Sequence, residues 1–358
     1  ILSSNEYLIQ IFALVGSFTA NLFVFSFSIL PFVLISNFKS KHIIFVLLSI
    51  PITILFFSSV VRFYNKDTEK LDNNLITLVQ PNIEQKDKWN LEKRNANLNK
   101  LTQLSLQNVN EYKGVNRIII WPETSFEGSI PNEMKLLSVI SKRILKHQKA
   151  ILVVGLLRVD KNKLFNSLVF LNSKGNIIHQ YDKIHLVPFG EYIPFRSKFT
   201  TIANFLSLKD FSSGNIKPNF NSKGLGNILT LICYEILFTE EVISRLSKNT
   251  NLLINITNDA WFGKTIGPYQ HLALAKIKAV ELGIPIARVA NTGISALISP
   301  YGEEITKIPL YESGVRTAKL ILPLKNTIFR IYGRIIFIVS ILFFILINTI
   351  CNYKFVRK

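Results

Sequence analysis

Three side chains in this sequence have types and settings that suit covalent chemistry. Glu123 stands in IIIWPETSF, just past a β-branched run that Pro122 closes. Lys183 stands in HQYDKIHLVPFGEY, after the strand-like run Ile177–Tyr181. Cys233 stands in LTLICYEIL, after Leu229, Leu231 and Ile232. In open α/β folds ligand sites form beyond the carboxyl ends of strands, so three reactive groups at three such ends can converge. A thiol attacks as its thiolate and needs a base or a cation beside it. Glu123 can take the proton, and Lys183 can stabilise negative charge on the thiolate and on a tetrahedral oxyanion. Attack on an acyl carbonyl gives a thioester, the chemistry of acyl transfer or amide hydrolysis. Each residue also has a plainer role: an inert buried cysteine, a carboxylate at a helix start, a solvated surface lysine. Residue types alone leave both readings open. A metal site is disfavoured, since the five histidines are dispersed and no CxxC or HxxxH spacing occurs. The G-x-S-x-G elbow of serine hydrolases is absent.

The elements that must position these groups are legible as short β-branched runs alternating with longer amphipathic stretches. Strands are expected at Leu75–Gln80, Arg117–Trp121, Ile151–Leu156, Ser167–Leu171, Ile228–Ile232, Leu252–Ile256, Ile286–Ala290 and Ser295–Ile298. Helices are expected at Leu91–Gln107, Asn132–Lys146, Glu240–Leu246 and Tyr269–Leu282, with turns at Asn172–Gly175 and Pro300–Glu303. Strands separated by helices predict a layered α/β domain. No internal repeat is found. The irregular stretch Pro188–Pro218 reads as a lid or binding loop.

Around this domain the composition changes. The 358 residues are 48% hydrophobic, with a mean hydropathy of +0.29, and the apolar residues gather in runs at 7–36, 43–61 and 335–351. Each is long enough to span a bilayer. The organisation expected is therefore transmembrane helices in residues 1–65, a catalytic domain in 66–325, and a transmembrane helix with a basic tail in 326–358. The first run is too long for a signal peptide and lacks a basic start. The chain begins at Ile1 rather than Met, and further helices are expected upstream. Lys39 and Lys41 lie between the first two runs, and Lys354, Arg357 and Lys358 follow the third. The positive-inside rule places both segments in the cytoplasm and residues 66–325 on the other side. The net charge of +19 comes from scattered lysines with no dense cluster or nucleic-acid motif. It suits at most a weak attraction to anionic headgroups, not nucleic-acid binding.

At the reactive residues the sequence resembles the nitrilase (carbon–nitrogen hydrolase) superfamily and, within it, the apolipoprotein N-acyltransferase family. The stretches that carry the resemblance stand in order: IIIWPETSF, YDKIHLVPFGEYIPFR, LICYEILF, NITNDAWFG and QHLALAKIKAVELGIPIARVANTGISALISPYG. The resemblance implies a four-layer αββα sandwich flanked by membrane helices, with Glu123 as general base, Lys183 as oxyanion-stabilising lysine and Cys233 as nucleophile. It implies a supporting role for Glu191, and places Tyr234, Glu235 and Trp261 around the acyl and substrate path. No cofactor is implied. The implied reaction moves an acyl chain from a phospholipid, through a cysteine thioester, to the α-amino group of the diacylglyceryl-cysteine of an apolipoprotein, at a bacterial inner membrane. The alternative is a membrane-tethered amidase with water as acceptor. Apolar residues of the 188–211 loop (Phe189, Ile193, Phe195, Phe199, Phe205 and Leu206) are expected to receive acyl chains. Two departures stand out: the family has seven spans before the catalytic domain where two are counted here, and Lys278 replaces the usual arginine.

Overall fold

Alternating apolar side chains on both faces of the strands build two stacked sheets, seen in a computed structural model that describes residues 2–35, 41–107, 109–112, 114–146, 148–194, 210–215, 218–222 and 224–356. In the first sheet β1 (Lys70–Gln80), β2 (Asn116–Ile120) and β4 (Ala150–Asp160) run parallel. The hairpin partners β5 (Lys163–Leu171) and β6 (Ile177–Asp182) extend it on one side, β13 (Gly314–Ile321) closes the other, and β3 (Phe126–Ile130) pairs with the end of β4. The second sheet has the order β12-β11-β10-β9-β8-β7, made from β7 (Asn219–Ser222), β8 (Gly226–Ile232), β9 (Thr250–Thr257), β10 (Ile286–Ala290), β11 (Ser295–Ile298) and β12 (Glu304–Ile308).

Strand periodicity assigns each side chain to one of three cores. Ile118 and Ile120 of β2 and Ile228 and Ile232 of β8 point between the sheets, where they meet Ile254, Val289 and Leu297. Ile119 turns the other way, onto Leu98 and Leu101 of α3 (Leu91–Ser105) and Leu137 and Ile144 of α4 (Met134–Ile144). Leu229 and Leu231 likewise face Val242 of α5 (Thr239–Arg245) and Leu272, Ala275 and Ala279 of α6 (Gly267–Leu282). The layers are therefore helix, sheet, sheet, helix. Every expected strand and helix is present with its ends moved by a few residues, and the turns at Asn172–Gly175 and Ser299–Glu303 close on backbone hydrogen bonds of 2.9 Å. The strands not anticipated are β3, β7, β12 and β13. In β12 and β13 the residues EITKI and GVRTAKLI mix charge with half-burial, which blurs the alternation.

Three helices are long and apolar enough to cross a membrane: Leu8–Ile35, Lys41–Tyr64 and Ile328–Thr349. They belong to α1 (Ile11–Ile35), α2 (Lys41–Tyr64) and α7 (Ile328–Val356), and display Phe25, Phe32, Phe57 and Ile338 on their outsides. The first apolar run, expected as one unbroken span over 7–36, is interrupted. Gly16 has φ 73° and ψ 171°, which breaks α1. Any Cβ there would lie 2.1 Å from the Phe329 ring, so packing as well as φ demands glycine. Before the break, Ile9, Phe12, Ala13 and Val15 pack on Val280 of α6. After it, Ser17–Ile35 retains about the length a hydrocarbon core requires. Lys39, Arg357 and Lys358 lie outside the described residues.

Candidate active site

The three nominated residues stand beyond the carboxyl ends of β2, β6 and β8, and all three line one cavity of about 740 Å³. Glu123 follows the buried Trp121 and Pro122 in a tight turn whose next residue, Thr124, has φ 44°. The Glu123 carboxylate accepts Asn166 Nδ2–H at 2.7 Å on Oε1 and the Asn258 backbone N–H at 2.8 Å on Oε2. The Glu123 carbonyl accepts the Lys88 ammonium at 3.0 Å.

Lys183 is 1% exposed and lies 2.9 Å from the Glu191 carboxylate and 3.8 Å from Glu123 Oε1. Burial works against its charge, but Glu123, Cys233 and Glu191 outweigh burial and raise its pKa. Glu191 is fixed in turn by Asn166 Nδ2–H at 2.9 Å and the Val187 N–H at 2.8 Å. Asn166 thus spans both carboxylates with one amide.

Cys233 opens a 3-10 turn, Cys233–Leu237, with φ 53°. A left-handed residue other than glycine is strained and persists where its surroundings impose it. Here the imposing group is Glu235, whose carboxylate is wholly buried. It accepts the Ile232 N–H at 2.8 Å, the Tyr181 hydroxyl at 2.6 Å, the Ile184 and His185 N–H groups at 3.0 and 3.1 Å, and Arg245 at 3.1 Å. One carboxylate therefore ties the Cys233 turn to the backbone that follows Lys183. Burial pushes the Cys233 thiol up to about 12, Glu123 adds to the shift, and Lys183 opposes it. Thr257 Oγ1 lies 3.2 Å from Sγ and 3.0 Å from Asp259 Oδ1, so its one hydrogen serves either acceptor. Asp259 is held down at about 2: burial opposes this, but Arg288 at 2.6 Å and His271 at 2.9 Å outweigh it.

Of the other nominated residues, Tyr234 lines the cavity with its ring edge-on to Phe238, centroids 5.0 Å apart. Trp261 stands at its rim, 73% exposed. Glu235 does not line the cavity; it was expected beside the substrate path and lies behind the wall, because five donors surround it. Of the loop residues expected to receive acyl chains, Phe189 is exposed, Ile193 is buried, and neither lines the cavity. Phe189 has φ 62°, and the Ile193 N–H is held by Asp210 Oδ1 at 3.2 Å, which together set the two side chains. Phe195, Phe199, Phe205 and Leu206 lie outside the described residues. The apolar wall comes instead from Trp89, Leu157, Val187, Phe211, Leu237 and Leu274. Sequence reasoning missed Lys88 and Trp89, although they too follow the end of a strand, β1. Asn166 lies inside a strand and left no such signal.

The carbon–nitrogen hydrolase family model matches residues 75–324. Apolipoprotein N-acyltransferase of Rhizobium etli is 38% identical over 250 residues, 67% of this chain and 46% of that protein. The protein of the same name from Rickettsia bellii is 32% identical over 367 residues, 99% of this chain and 71% of that protein. Among solved structures, a nitrilase-superfamily member of Saccharomyces cerevisiae has a TM-score of 0.51 at 18% identity, covering 69% of this chain and 89% of its own. An amidase of Nesterenkonia has the same TM-score and identity over 71% of this chain. The chain belongs to the carbon–nitrogen hydrolase family, on its apolipoprotein N-acyltransferase branch. It spans about half the length of most of the relatives it matches; over the Rhizobium etli protein the match covers 46%.

Proposed function

We propose that the chain is the catalytic portion of a phospholipid:apolipoprotein N-acyltransferase, with residues 1–65 and 326–358 in the membrane and 66–325 on its outer side. The observation that carries this reading is the placing of Cys233, Glu123 and Lys183 in one apolar-walled cavity of a chain that also bears three membrane-length helices.

Glu123 takes the Sγ proton as the thiolate attacks the ester carbonyl of a membrane phospholipid. The carbonyl oxygen becomes an oxyanion beside Lys183 Nζ, whose raised pKa keeps it charged. The intermediate collapses by breaking the acyl C–O bond. The leaving alkoxide takes the proton from Glu123 and departs as lysophospholipid, leaving the acyl group on Sγ. The α-amino group of a diacylglyceryl-cysteine then attacks the thioester and Glu123 accepts its proton. The C–S bond breaks, and the thiolate is reprotonated as the amide leaves. Glu191 keeps Lys183 oriented throughout, with two oxygens within ion-pair reach. Basic residues at the two ends assigned to the cytoplasm, Lys41 among them, support the orientation.

The test is intact mass of the purified protein in phospholipid vesicles, beside Cys233→Ala. An acyl adduct on the wild type alone, discharged by a diacylglyceryl lipopeptide and stable to water, is the expected result. Rapid discharge by water would make the chain a lipid hydrolase, and no adduct would sink the lipid-donor reading.

A further inference from the structure

The break in α1 puts the Ser17 backbone N–H at the start of a new helical segment, a position where N–H groups need a partner from outside the helix. It is satisfied from another element: Glu281 Oε1, on α6, accepts it at 2.8 Å. Glu281 is wholly buried and Lys278, one turn earlier, is 4% exposed; they form an ion pair of 2.6 Å. The same Lys278 ammonium donates to Thr239 Oγ1. Thr239 begins α5, directly after the turn that Cys233 opens. The Glu281 carbonyl accepts the hydroxyl of Thr327, and that hydroxyl accepts the Arg330 N–H at 3.0 Å at the start of α7. One buried polar node thus joins two membrane-length helices, α6 and the turn of the nucleophile. The other end of α6 carries Gln270, His271 and Leu274, which line the cavity. Among the described residues, none of the groups hydrogen-bonded to the Cys233 sulfur, Glu123 or the Lys183 ammonium belongs to this node.

We propose that Lys278 and Glu281 are positioning residues that lock the broken first span and the third span to the nucleophile's turn, fixing the height of Cys233 relative to the bilayer. This rests on the lipid-donor reading above. A buried charge pair is poor glue compared with apolar packing, and its retention here follows from what it joins. A carboxylate can hold Ser17 and Lys278 together, and an ammonium can reach Thr239 while neutralising that carboxylate. With the node loosened, the cavity keeps its chemistry but no longer meets an ester held at a fixed depth.

The experiment compares two acyl donors for Glu281→Gln, Lys278→Met, Lys278→Arg and wild type in vesicles: the vesicle phospholipid itself, and the water-soluble p-nitrophenyl butyrate. Thioester formation is read by intact mass and, for the soluble ester, by nitrophenolate release. Glu281→Gln and Lys278→Met should form thioester from phospholipid at least tenfold more slowly than wild type, while their rates with the soluble ester stay within about twofold. Lys278→Arg keeps the charge and should restore both. Equal loss with both donors would mean the node only supports the fold, and unchanged rates with both would mean it positions nothing; either overturns the proposal. If wild type itself is acylated by the soluble ester but never by phospholipid, the lipid-donor reading falls and this inference with it. A wild type active on phospholipid beside unaffected variants overturns the inference alone.

Discussion

Cys233 is held between influences of opposite sign. Burial and the Glu123 charge favour the neutral thiol; Lys183 and the Thr257 hydroxyl favour the thiolate, and the first pair wins, leaving the thiol at about 12. The resting thiol is therefore protonated, and in the proposed reaction its proton leaves in the same event as attack. This separates two properties of Glu123 that are usually read together. As the base in the proposed reaction it serves acyl transfer; as a charge it suppresses the free thiolate. Glu123→Gln should slow thioester formation from phospholipid on the order of 10²–10⁴-fold, the usual weight of a general base. The same variant should react with iodoacetamide faster than wild type, by up to about tenfold at pH 8, since one pKa unit is a factor of ten in thiolate. In both proteins alkylation should climb through pH 7–10 with no plateau, because the thiol titrates above that window. Alkylation that slows alongside acylation would show that charge does not govern the resting thiol.

At the scale of elements, the site depends on backbones that touch. Gly155 of β4 passes so close to the Glu123 turn that a Cβ would lie 2.4 Å from the Pro122 carbonyl oxygen, 2.7 Å from Glu123 Cα and 2.8 Å from the Thr124 nitrogen. Those atoms are main chain and cannot swing aside. Gly155→Ala should push the Glu123 turn off the cavity, cutting thioester formation at least tenfold and costing about 1–3 kcal/mol of stability, the usual range for overpacking. Intact-mass acylation kinetics and thermal unfolding in the same lipid would check both. Acylation at the wild-type rate would mean the turn tolerates the shift. The contact also marks the limit of what the sequence discloses. Runs such as Ile118–Ile120 and Leu252–Ile256 announce buried strands by composition, and the rule that sites lie past strand ends was enough to gather Glu123, Lys183 and Cys233. Gly155 reads as one more strand residue, and Asn166 as one more polar one, because their importance lies in a neighbour distant in the chain. Glu235 was nominated for the substrate path, yet it braces the turn from behind: motif position reveals that a residue matters before it reveals which way it points. The break at Gly16 was hidden for a related reason. Apolar residues continue on both sides of it, and hydropathy does not distinguish packing on α6 from packing on lipid.

On the proposed function the whole molecule delivers one amphipathic ester to one thiol, and its architecture divides that task. The sandwich supplies the chemistry and is shared with amidase-like relatives of the fold. The apolar helices supply position relative to the bilayer, and the Ser17–Glu281 and Thr327–Glu281 bonds join the two parts. For this division to serve an extracytoplasmic reaction, the sandwich must face outward while Lys41 and the far end of α7 face the cytoplasm. The exposed turn at Lys174, between β5 and β6, and the end of α7 at Lys354 are then on opposite sides of the membrane. In intact bacterial spheroplasts carrying a Cys351→Ser background, Lys174→Cys should be labelled by a membrane-impermeant maleimide, and Lys354→Cys only after the membrane is opened. Cys233 offers little competing signal at neutral pH, since its raised pKa keeps the thiol protonated. The reverse pattern would put the cavity on the cytoplasmic face, away from exported apolipoproteins, and would leave the three residues serving an acceptor other than the one proposed.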